Sequence, residues 1–186
     1  MTKVSPKKRQ ERFCVNYFSG FLFQNEQELF SRYITTNDFD VCGFSYGAIK
    51  AFEYALNAKH RVDRLMLLSP AFFQDKPTSF KRAQTLFFKT NQHEYIQKFI
   101  QNVSSQDNDI DLAPYICQGK QEQLEELLYY TWCGEKLQSL KQRGIKIEVF
   151  IGEKDAIINP HEALNFFSQY ATTYLISNKG HLLDVS

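Results

Sequence analysis

The sequence predicts an α/β protein: a mostly parallel sheet with flanking helices and a helical cap insertion. Three observations carry this. Short apolar runs alternate with segments of helical periodicity, the pattern of strands buried on both faces and joined by crossover helices. The runs end at Ser19-Gly20, at Ser69-Pro70 and at Gly152, the turn residues that close a strand. The alternation stops after residue 70 and resumes at 144, so residues 1–70 and 144–186 form one core and 71–143 an insertion.

The elements follow in order. Residues 13–18 (FCVNYF) read as a buried strand. Asn25 precedes Glu28 by three, near a capping box, and Leu29, Phe30, Tyr33 and Ile34 continue at helical spacing, predicting a helix over 25–34. Residues 39–44 are the next strand. Ala48, Ile49, Phe52, Ala55 and Leu56 then form one apolar stripe of a helix. Residues 64–68 (RLMLL) make a third strand. The insertion is rich in Gln, Lys, Glu and Phe, with helices marked by Leu86 and Phe87, by Tyr95, Phe99 and Ile100, and by Leu124, Leu127 and Leu128. A polar break, NVSSQDNDID, spans 102–111. Residues 145–151 (IKIEVFI) are a strand, Pro160 opens a helix to about Tyr170, and 172–176 is the last strand.

The chain of 186 residues suits one domain with its own core. With 43% hydrophobic and 23% charged residues it is globular rather than disordered, and a net charge of +1 gives no global field toward nucleic acid or membrane. Cys14, Cys42, Cys117 and Cys133 show no C-x-x-C spacing, which argues against zinc ribbons and thioredoxin-like chemistry, and they read as reduced thiols of a cytoplasmic protein. The basic start, MTKVSPKKRQERF, has no apolar core of a secretory signal behind it and reads as a solvated tail, with a nucleic-acid arm as the alternative. No apolar run is long enough to span a bilayer.

The chemistry centres on VCGFSYGAIKAFEYAL, residues 41–56. Gly43 and Gly47 flank Ser45 two places either side, at the junction of a predicted strand and helix. G-x-S-x-G in that context is a nucleophile elbow: the turn is too sharp for side chains at the flanking positions, and the serine stands at a helix N-terminus. A serine needs a base, and the base an orienting acid. His181 follows the last strand in NKGHLLD, and Asp155 follows the preceding strand in FIGEKDAIINP. The three lie beyond the carboxyl ends of parallel strands, on the edge where such sheets build their sites. Glu153 is the rival acid, closer to the strand end. Asp184 follows His181 too closely to orient it, while His60, His93 and His161 read as edge, solvated and capping residues. The oxyanion donors are the N–H groups of Tyr46, after the nucleophile, and of Phe21, in the loop YFSGFLF, where Gly20 lets the chain turn. Phe21 also reads as a core aromatic. No metal-ligand spacing is present.

With these motifs together, the chain resembles the α/β-hydrolase superfamily over nearly its whole length. SGFLFQNEQELF resembles an oxyanion loop with Ser19 in place of the usual histidine, GFSYG the elbow, GEKDAIINP the acid loop and KGH the histidine loop. Within the superfamily it is most similar to the short esterases that demethylate pimeloyl-[acyl-carrier protein] methyl ester in biotin synthesis. The resemblance implies a serine carboxylesterase without metal or organic cofactor and an acyl-carrier protein as partner. It departs from the superfamily pattern in lacking the strands before the oxyanion strand, one strand–helix pair before the elbow, and the usual last helix after His181; the sheet edge near Phe13 is then open or covered by the N-terminal arm.

Carrier proteins are acidic, and Lys76, Lys81, Arg82 and Lys89, with Lys98, give one end of the insertion a basic balance that the rest lacks. The same residues also read as a solvated helix face. Phe72, Phe73, Phe80, Phe87, Phe88 and Trp132 read either as an acyl channel or as ordinary cap core. The rival functions are a general short-chain carboxylesterase, an acyl thioesterase and a non-catalytic binding protein of the same fold.

Overall fold

A computed structural model describes residues 16–35, 37–106 and 110–183. The N-terminal arm, Cys14, the start of the first expected strand, the edge at Phe13, Asp107, Asp109 and Asp184 lie outside the described residues. Five strands are described: β1 (Asn16–Phe18), β2 (Asp40–Phe44), β3 (Arg64–Leu68), β4 (Lys146–Gly152) and β5 (Thr172–Ile176). They pair in chain order, and every pairing is parallel. Three of the helices that connect β2 to β5 cover one face of the sheet. There α1 (Tyr46–Asn57) packs on β2 and β3, α5 (Gly134–Gln142) on β4 and α1, and α6 (Pro160–Phe167) on β4 and β5.

The two sheet faces follow the two-residue period of the strands. Val41, Leu65, Leu67, Ile147, Val149 and Ile151 point to the helices and to the fully buried Phe52, Leu137 and Phe167. Trp132 stands among them with its ring 5.2 Å from Phe52 and 4.9 Å from Phe167, and its indole N–H donates to the Ala71 carbonyl. Cys42, Phe44, Met66 and Leu68 point the other way, onto Phe23, Phe30, Leu182 and Leu183. On that face the buried Glu148 is balanced by Arg64 at 2.9 Å and Lys146 at 2.9 Å, which explains a charge inside an apolar strand.

The insertion contributes α2 (Thr78–Thr90), α3 (Gln92–Val103) and α4 (Gln121–Tyr129), with α2 packed on both α3 and α4. The helix expected over 25–34 is corrected to a 3-10 turn at Glu26–Phe30. Asn25 has φ 57° and makes no cap bond. Glu26 is turned inward onto the Gly20 N–H, and Glu28 accepts from the Tyr115 hydroxyl, so neither is left for a capping box.

Because Trp132 fills the contact between α1 and α6, Trp132→Ala should cost about 3–5 kcal/mol of stability in a urea titration.

Candidate active site

The end of β2 and the start of α1 leave no room for side chains. A Cβ on Gly43 would stand 2.1 Å from the Gly47 carbonyl oxygen, and one on Gly47 would stand 1.9 Å from the Phe18 carbonyl oxygen. Between them Ser45 takes φ 54° and ψ −115°, a strained conformation for a residue with a side chain. It is held from both sides: its N–H donates to the Leu68 carbonyl at 2.8 Å, and its carbonyl accepts from the N–H groups of Ala48 and Ala71, both at 3.1 Å.

His181 approaches from the loop after β5. Its Nε2 lies 2.9 Å from the Ser45 Oγ, and its Nδ1 lies 2.7 Å from the Asp155 Oδ2. All three residues are buried, His181 completely. The other Asp155 oxygen accepts from the N–H groups of Ile157 at 2.7 Å and Ile158 at 3.1 Å, which aims the carboxylate. With Nδ1–H donating to Asp155, Nε2 is left to accept the serine proton. The histidine loop is pinned by the Ser69 hydroxyl, which donates to the His181 carbonyl at 2.6 Å. Glu153 is engaged elsewhere, accepting from the Asn178 N–H at 2.8 Å. His60 faces the Tyr54 hydroxyl, His161 lies in the first turn of α6, and His93 is exposed on α3.

Among the described residues the N–H groups of Phe21 and Tyr46 have no hydrogen-bond acceptor, as oxyanion donors require. The Phe21 ring is buried against Phe88 and Phe99, so the residue fills a core position as well. Gly20 has no positive φ: it is needed because a Cβ there would meet the Phe44 ring at 2.8 Å. The left-handed residue of this loop is Leu22, at φ 67°. A cavity of ≈ 260 Å³ lies under the insertion, lined by Phe73, Phe80, Phe87, Phe99, Leu127 and Ile157 among others. It borders the acid loop through Ile157 and the Phe21 ring through Phe99. Phe72 and Trp132 pack instead on Phe167, and Phe88 on Tyr95. Among the described residues no group of three or more His, Cys, Asp or Glu side chains is placed to hold a metal ion.

Reasoning from sequence missed the contacts that tie the insertion to the elbow. The Tyr46 hydroxyl donates to Glu126 of α4 at 2.5 Å, and Lys50 pairs with the same carboxylate. One turn further, the Tyr130 hydroxyl donates to Glu53 of α1 at 2.5 Å. Tyr46, Lys50 and Glu53 share a face of α1, so the two links cross in opposite senses. Burial, then the bond to Glu126, raises the Tyr46 phenol pKa; burial, then Glu53, raises that of Tyr130. Burial acts to raise the Glu126 carboxyl, but Lys50 and Tyr46 together hold it below its ordinary value.

No protein-family model and no curated protein matches the chain. Solved structures do. Naproxen esterase (carboxylesterase NP) from Bacillus subtilis superposes with TM-score 0.56 at 21% identity, over 78% of this chain and 54% of that one. Carboxylesterase CesB (YbfK) from Bacillus subtilis gives 0.59 at 15% identity, over 91% and 77%. MenH from S. aureus gives 0.59 at 13% identity, over 90% and 87%. The fold is the α/β-hydrolase fold. The chain spans about half the length of naproxen esterase, and its sheet runs in plain sequential order from β1 to β5.

Both phenols have folded values above their ordinary 10.0. Their contribution is therefore complete below pH of about 10 and is lost as pH rises through the folded values. Urea midpoints should fall above pH of about 10, and fall less steeply in a Tyr46→Phe, Tyr130→Phe double variant.

Proposed function

We propose that the protein is a serine carboxylesterase. The observation that carries this is the buried relay from Ser45 through His181 to Asp155, with distances of 2.9 and 2.7 Å. His181 takes the Ser45 proton as Oγ attacks the ester carbonyl. The Phe21 and Tyr46 N–H groups receive the oxyanion, and the alcohol leaves with the proton from His181. Water, deprotonated by His181, then cleaves the acyl-enzyme and restores Ser45. Neighbours described as carboxylesterases support the reaction class.

The substrate proposed is the methyl ester of pimeloyl-[acyl-carrier protein], hydrolysed in the cytoplasm during biotin synthesis. The resemblance of the SGF loop and the GFSYGAIKAFEYAL block supports it. So does the cavity beside the acid loop, whose lining, mostly aromatic and aliphatic with Gln84, Lys98 and Asn102 among it, suits a medium-length acyl chain. A further support is the outer face of α2. Arg82, Leu86 and Lys89 recur at helical spacing, with Leu86 61% exposed, a basic stripe with an apolar centre suited to an acidic helical partner. Lys81 lies over the Tyr129 ring, while Lys76 is paired with Asp75 and contributes less. Among the described residues no helix is long and apolar enough to cross a membrane.

The test is the mass of methyl-pimeloyl carrier protein after incubation with the enzyme. Loss of the methyl group with the thioester intact is expected, and Ser45→Ala should lower the rate at least ~10⁴-fold. Release of the whole acyl chain would make the protein a thioesterase. Turnover of small esters alone would leave a general carboxylesterase. In the same assay, charge reversal at Lys81 and Arg82 should raise KM about tenfold at low salt, with the difference shrinking at high salt.

A further inference from the structure

A carboxylate stands buried behind the oxyanion loop. Glu26 has no exposed surface. Its Oε1 accepts two hydrogen bonds, from the Gly20 N–H at 2.8 Å and from the Tyr17 hydroxyl at 3.0 Å. Its Oε2 is buried with no partner among the described residues. A half-satisfied buried carboxylate is costly, and a fold built for stability alone has cheaper ways to fill the place. Such groups call for a functional account.

The account lies one residue away. The peptide joining Gly20 to Phe21 is planar and trans, so the Gly20 carbonyl and the Phe21 N–H point in opposite directions. The carbonyl is held by the Phe23 N–H at 3.1 Å, and the Gly20 N–H on the other side is held by Glu26. With both sides of Gly20 held, the direction of the Phe21 N–H is set. Tyr17 anchors the carboxylate in turn to β1, and burial, then Glu26, keeps its phenol protonated.

We infer that Glu26 is a positioning residue of the oxyanion hole, aiming the Phe21 N–H through its bond to Gly20. This rests on the esterase reading of Ser45. The role depends on reach rather than on charge, and two substitutions separate these. Glu26→Asp keeps the charge and withdraws the acceptor from Gly20. Glu26→Gln removes the charge and keeps an acceptor of the same length.

The variants are compared on a soluble methyl ester, with folding checked by circular dichroism and melting temperature. Glu26→Asp should lower kcat about tenfold or more with KM within about twofold, as a misaimed transition-state donor does, while Glu26→Gln stays within about threefold of wild type. A structural role would move melting temperature without this split between the two variants. A folded Glu26→Asp with wild-type kcat overturns the proposal, as does Glu26→Gln losing as much as Glu26→Asp. Should Glu26→Asp fail to fold, Tyr17→Phe decides. It removes the second donor on Oε1, so kcat should fall with KM unchanged, and a wild-type kcat overturns the proposal. Wild type that hydrolyses no ester overturns the reading of Ser45 and this proposal together. Active wild type beside an equally active Glu26→Asp overturns the proposal alone.

Discussion

The structure is organised around one close approach. The Phe18 carbonyl oxygen, at the end of β1, lies where a side chain on Gly47 would begin. That contact joins β1 to the first turn of α1, and it brings the loop that carries Phe21 beside the helix start that carries Tyr46. The strain at Ser45 follows from it, because a chain that must turn from β2 into α1 within one residue has few conformations left. Flanking bonds to Leu68 and Ala71 hold the strained residue, so the turn draws on β3 and on the loop after it as well. Parallel strands in sequential order then carry Asp155 and His181 to the same edge.

Around this centre, burial and polar pairing divide the work. One sheet face is closed by α1, α5 and α6 with large apolar side chains. The other is closed by the Glu26–Phe30 turn, by Val103 of α3 and by loop residues such as Leu182 and Leu183, and there Glu148 needs Arg64 and Lys146 beside it. The site takes its order from the hydrogen bonds of loops: Ser69 holds the histidine loop, two N–H groups hold Asp155, and the Tyr46–Glu126 bond holds the insertion over the elbow.

What was legible in the sequence is what local spacing encodes. Ser45 with its glycines is a property of five consecutive residues, and the apolar runs that became β2 through β5 are nearly continuous. His181 and Asp155 were found because each follows a strand directly. The spacing of Asn25 and Glu28 suits a capped helix, but Asn25 makes no cap bond and Glu28 takes its partner, Tyr115, from 87 residues away. Glu126 and Ser69 carried no local signal, their partners being 80 and 112 residues away. Trp132 reads equally as an acyl-channel aromatic and as cap core, and only its contacts with Phe52 and Phe167 place it in the core between the sheet's helices.

The loop after β1 and the insertion are also stitched by backbone. The Gln24 N–H donates to the Tyr115 carbonyl and the Cys117 N–H to the Leu22 carbonyl, both at 2.8 Å, around an antiparallel bridge between Phe23 and Ile116. Backbone bonds of this kind do not depend on which side chains are present, but they do depend on the length and path of both strands of the stitch. The insertion is therefore not a module that can be exchanged at its two ends. A graft from another protein of this fold has to bring a stretch matching residues 115–117, or the recipient's loop at 22–24 loses its partner along with its shape. Loop and insertion are in this sense one unit, and α2 and α3, which lie outside the stitch, are where the sequence can vary without disturbing it.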